Sequence, residues 1–105
     1  MNKQIDSLQD NILKLNTHMN ARAERSFEVT CALGTKGVTA LNALFMTSCD
    51  FNSGKVGAEA LTAKAKKFAE FITQNPAKKV GVEKSLTKTG ITYLNRIVRL
   101  SSELS

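Results

Sequence analysis

The chain has 105 residues, and 15 basic against 9 acidic side chains give it a formal net charge of +6. One Pro, six Gly, 42% apolar residues and 23% charged residues describe a globular chain, which excludes collagen-like, low-complexity and disordered architectures. One His and two Cys leave little for metal or nucleophile chemistry, and five Phe with one Tyr and no Trp make a nucleobase-stacking platform improbable.

The first element reads as a helix over roughly 3–33. Ile5, Leu8, Ile12, Leu15 and Met19 follow a 3, 4, 3, 4 spacing that places them on one stripe, like the seam of a coiled coil. They are the expected self-association surface of an oligomer. Beyond Met19 the spacing becomes four, through Ala23, Phe27 and Cys31, and a run of fours rotates the stripe around the helix. Asp10 and Lys14 form an i,i+4 pair on the outer face.

Gly34 and Gly37 bracket a turn or kink, since each interior Gly costs a helix about 1 kcal/mol relative to Ala. A second helix then spans roughly 37–49 on Val38, Leu41, Leu44 and Phe45; a single long kinked helix is the rival. Ser48 to Gly54 reads as a loop, with Ser53 as N-cap of a third helix over roughly 54–74. That helix carries Val56, Leu61, Ala65, Phe68 and Ile72 on one side, and Asn75-Pro76 stops it. The last helix spans roughly 78–103 on Leu86, Ile91, Tyr93, Leu94, Ile97, Val98 and Leu104, with Gly90 either weakening it or admitting a close neighbour. Nothing alternates strictly enough for a strand. The expected fold is therefore all-α: one domain over 1–105, a small bundle of three to four amphipathic helices with antiparallel neighbours, extended or oligomeric.

No apolar run reaches the length of a membrane span, and the N-terminus lacks the apolar core of a signal peptide. Cys31 and Cys49 lie in apolar stretches and read as reduced core residues of a cytoplasmic protein, a disulfide between them being the alternative.

The charge is divided unevenly. Residues 1–54 hold five basic and five acidic side chains, whereas residues 55–105 hold ten basic and four acidic ones. Lys64, Lys66, Lys67, Lys78, Lys79, Lys84, Lys88, Arg96 and Arg99 are the expected contacts to an anionic partner, either an acidic protein face or a nucleic-acid backbone. Lys84, Lys88 and Arg99 read as sharing one side of the last helix. The same lysines also read as a solvated surface that keeps a small protein soluble.

Sites of chemistry are harder to find. Asn52-Ser53-Gly54-Lys55 ends like a phosphate-binding loop, but Cys49 and Val56 stand where that motif needs Gly and Ser or Thr. Asp50 to Gly54 starts like a calcium loop, but its glycine is one residue early and Leu61 replaces the bidentate Glu. His18, Cys31 and Cys49 show neither a metal-ligand nor a nucleophile spacing. The expectation is a non-enzymatic module with no cofactor and no metal, which self-associates and docks an anionic partner, as a small phage-type accessory protein or nucleoid-type binder does.

One further segment carries a family likeness. Phe68-Ala69-Glu70-Phe71, Val82-Glu83-Lys84-Ser85-Leu86, Tyr93 and Ser101-Ser102-Glu103-Leu104 resemble the C-terminal part of phasins, over about a third of the chain. The resemblance implies a helical protein that coats a hydrophobic granule or lipid surface, with its apolar helix faces free to lie on that surface.

Overall fold

Five α-helices account for nearly all of residues 3–104, which the computed structural model describes. They are α1 (Lys3–Asn20), α2 (Ala23–Asn52), α3 (Ala58–Gln74), α4 (Pro76–Ser85) and α5 (Lys88–Glu103). The all-helical expectation holds, and the number of helices is larger than the sequence suggested.

Helix α1 stops at Asn20, short of the expected 33. Arg22 is extended at φ −137° and ψ 125°, and Arg25 Nη1 donates to the carbonyl oxygen of His18 at 2.6 Å, satisfying an acceptor that the helix end exposes. A continuous helix would have carried its stripe off the core, and the chain turns there instead. One consequence is that Phe27 and Cys31 point outward while Val29 and Leu33 take the buried positions.

The break at Gly34 is real. Gly34 has φ +73° and ψ 179°, a conformation open essentially to glycine alone, and it divides α2 into two arms. Gly37, in contrast, is helical and buried. A Cβ there would lie 2.7 Å from Cε1 of Phe71, so its absence lets α3 pack close.

The expected loop at 48–54 is mostly helix. Helix α2 runs to Asn52, and the Asp, Asn, Ser and Gly cluster forms its C-terminus. The amide of Gly54 donates to Phe51 O at 3.1 Å and that of Lys55 to Asp50 O at 2.8 Å. With Gly54 at φ +78°, this is a Schellman closure. Ser53 is thus a C-cap, and Gly57 occupies the N-cap position of α3. Asn75 and Pro76 end α3 as expected, with Pro76 opening α4 at the first helical position, where its missing N–H costs nothing.

The expected helix over 78–103 is two helices. Leu86 is extended at φ −90° and ψ 146°, and its buried side chain anchors the break in the core. Thr87, at the N-cap position, lies 3.0 Å from His18 Nε2 through its hydroxyl. Gly90 accommodates a side chain, not a backbone: a Cβ there would lie 2.7 Å from Cδ2 of His18.

The core gathers one stripe from every helix. Phe68, Leu8, Ile12, Leu15, Leu33, Leu44, Leu61, Ile72, Leu94 and Ile97 are fully buried. Helix α1 packs on α5 and α2, α2 on α3 and α4, and α3 on α5. The radius of gyration is 12.7 Å, against about 13 Å for a compact chain of this length. Two polar residues join α1 to α2 inside this core. Gln9 Nε2 donates to Ser48 O at 2.9 Å, and Ser48 Oγ donates to Gln9 Oε1 at 2.6 Å.

Among the described residues α2 is the helix long and apolar enough to cross a membrane, by length and composition, with a window of mean hydropathy 1.2 of which 28% is buried. The most hydrophobic stretch of α2, Ala40 to Met46, is short and interrupted by Asn42, so it is the average over a longer part of the helix that reaches this value.

Candidate functional site

The residues expected to join two copies lie inside one. Ile5, Leu8, Ile12, Leu15 and Met19 are all less than a tenth exposed, covered by the chain's own helices. The seam-like spacing therefore records intramolecular packing. Both cysteines also depart from expectation: Cys31 and Cys49 are exposed free thiols on opposite sides of the Gly34 break. The arm from Thr35 to Cys49 is about 21 Å long at 1.5 Å per residue, so the two cannot be bridged within one chain.

The nine expected cationic contacts do not form one stripe. Lys78 turns inward, where its Nζ donates to Leu33 O at 3.2 Å and sits 5.4 Å from the centroid of the Phe71 ring. It closes the first arm of α2 at the point where Gly34 interrupts the helix. Lys84 lies in the last turn of α4 and Lys88 opens α5, so the break at Leu86 and Thr87 separates two lysines that a continuous helix would have stacked. Arg96 and Arg99 are exposed on α5, and Lys79 is partly covered on α4. Lys66 faces α5, in a groove of about 500 Å³ with Glu70, Thr73, Val98, Ser101 and Ser102.

Lys64 and Lys67 are brought together with a residue that the charge census passed over. They line a groove of about 510 Å³ between α2 and α3, opposite Lys36. Thr35, Thr39, Ala40 and Ala43 form the α2 wall and floor, and Glu70, Phe71 and Gln74 complete the α3 side. Lys36 was missed because it lies in the charge-balanced half and reads as part of the turn at Gly34–Gly37. The signal was present in the small and hydroxyl side chains at Thr35, Thr39 and Ala43, four residues apart on one helical face.

The local sequence explains the geometry. Lys64 and Lys67 are three residues apart, hence neighbours on α3, at the flank of the stripe formed by the buried Leu61, Ala65 and Phe68. Gly37 lets α3 come close to α2, and Lys36, the residue before it, lines the same groove as the α3 lysines. Lys36, Lys64 and Lys67 form no ion pair among the described residues; the pair present there is Lys14–Asp10 at 2.9 Å, the pair the spacing predicted. Like charges one turn apart cost a helix about 0.2–0.5 kcal/mol. Thr39 Oγ1 donates to Thr35 O at 2.9 Å, so that hydroxyl's proton is already placed within α2.

A second recess lies beside His18. It holds about 390 Å³ between Leu13, Lys14, Thr17, Ala21 and Tyr93. The Tyr93 ring meets the imidazole edge-on at 6.2 Å. Burial, and then the charge of Arg25, lower the His18 pKa from its ordinary value of 6.5. No group of three His, Cys, Asp or Glu residues converges to hold a metal ion among the described residues.

No family model matches the chain. Neither a curated protein nor a solved structure matches it.

Proposed function

We propose that this protein is a non-enzymatic binding module whose cationic groove, between the second arm of α2 and α3, takes an anionic partner. The observation that carries this reading is the convergence of Lys36, Lys64 and Lys67 on one concave surface with a single acidic side chain, Glu70. A lysine surface needed only for solubility has no reason to collect three ammonium groups from two helices around a groove. The overall charge of +6 extends the attraction beyond the groove and speeds encounter with an anion. Two exposed thiols with no partner suit a reducing compartment.

The phasin-like reading has less support. It needs free apolar faces, whereas Phe68 and Leu86 of the resembling segment are buried in the core. The large apolar side chains left exposed are Phe27, Met46 and Val80, on α2 and α4.

The test is capture from a native-host lysate on immobilised protein, with and without nuclease, at low and physiological salt. A specific partner should be held by the wild type, released by salt, and lost on Lys36→Glu/Lys64→Glu/Lys67→Glu. Capture that ignores both salt and the triple substitution removes the groove from the function.

A further inference from the structure

The groove carries two chemistries, and the second selects among anions. Its rim is cationic at Lys36, Lys64 and Lys67, but its floor is apolar, formed by Ala40, Ala43 and the Phe71 ring. Phe71 is already engaged: its edge packs on Gly37, and the Lys78 ammonium stands 5.4 Å from its centroid. One ring with a cation over one face makes no platform for successive bases, which is how single-stranded nucleic acid is held on aromatic side chains. A phosphate backbone is followed by an extended track of cations, and it brings nothing apolar to cover the floor. The volume of about 510 Å³ suits the side chains of one short segment. Glu70 on the α3 wall disfavours an unbroken row of negative charge.

Resting on the cationic-groove reading above, we propose that the occupant is an acidic amphipathic segment of a partner protein. Its carboxylates meet the ammonium groups of Lys36, Lys64 and Lys67, and an aliphatic side chain between them covers Ala40, Ala43 and Phe71. The lysines supply attraction and orientation, and the floor supplies the preference for a peptide over other polyanions.

Fluorescence anisotropy tests this with three labelled probes: a short peptide with Glu and Leu at helical spacing, a polyglutamate of equal charge, and a single-stranded oligonucleotide of equal charge. The Glu-Leu peptide should bind about tenfold or more tighter than either other probe, a difference that hydrophobic cover of the floor can supply. Lys64→Glu/Lys67→Glu should weaken it by about tenfold or more, while the charge-matched Lys84→Glu/Lys88→Glu, outside the groove, leaves it within about twofold. Ala43→Gln, which makes the floor polar without changing its charge, should weaken the Glu-Leu peptide and leave polyglutamate unchanged. Circular dichroism establishes that each variant is folded. If polyglutamate or the oligonucleotide binds as tightly as the peptide and still responds to Lys64→Glu/Lys67→Glu, the acidic-segment inference fails and the cationic groove stands. If none of the three probes binds, or binding ignores Lys64→Glu/Lys67→Glu, both fail.

Discussion

The Nζ of Lys78 donates to the carbonyl oxygen of Leu33 at 3.2 Å, across 45 residues of chain. Gly34 departs from helical φ/ψ one residue later, so Leu33 stands at the C-terminal end of the first arm of α2. A cation at a helix C-terminus also meets the negative end of the helix dipole. Loss of this contact should open the elbow between the arms. Lys78→Met, which keeps the aliphatic stem, should cost about 1–2 kcal/mol in urea unfolding. Gly34→Ala should cost about 1–3 kcal/mol through backbone strain alone. An unchanged urea midpoint in Lys78→Met would show that the hydrogen bond contributes nothing to the elbow.

Ile12 is fully buried. Ile12→Asp places an unpaired carboxylate in the core, so the variant should lose helicity and cooperative unfolding. A seam between two copies predicts something else: a folded variant of lower mass in solution. Circular dichroism and light scattering on the same sample separate the two, and retained helicity with a halved mass would restore the α1 stripe as an interface.

Gln9 and Ser48 exchange two hydrogen bonds inside the α1–α2 interface. Ser48→Ala leaves Gln9 Oε1 without that donor and should cost about 1–3 kcal/mol. The double substitution Gln9→Met/Ser48→Ala should recover part of that loss, because no side-chain polar group of the pair then remains buried. Equilibrium denaturation of the two single variants and the double gives the coupling directly.

The neutral form of His18 is favoured in the folded chain. Burial and Arg25 on α2 oppose its protonation, Lys14 lies in the same recess, and Thr87 and Tyr93 face it from the α5 side. The folded pKa lies below the ordinary 6.5, so the unfolded chain takes up the proton first as pH falls. The resulting stability is complete above pH 6.5 and declines as pH falls through the folded value. Wild type should therefore lose midpoint between about pH 7 and pH 5, above the main carboxylate range, while His18→Gln shows a flatter profile there. A wild-type profile as flat as that of His18→Gln would contradict the linkage.

The periodicity of apolar residues was enough to make the protein helical and to select most of the core. Leu8, Ile12, Leu61, Phe68, Ile72, Leu94 and Ile97 occupy interior positions that their spacing marked. The stops at Gly34 and Pro76 were equally legible, because a positive-φ conformation and a missing amide are properties of single residues. Tertiary packing decided what covers each stripe, and a stripe made to meet its own chain has the same spacing as one made to meet another. That is why the Ile5–Met19 seam read as an oligomer interface. Packing also decided the breaks at Arg22 and Leu86, where no Gly or Pro stands and the backbone turns extended. Finally, it separated lysines of one sequence class into a cap at Leu33, dispersed surface charges and a groove shared with Lys36. Charge is counted along the chain, but an electrostatic field depends on distances in space, and only the fold sets those.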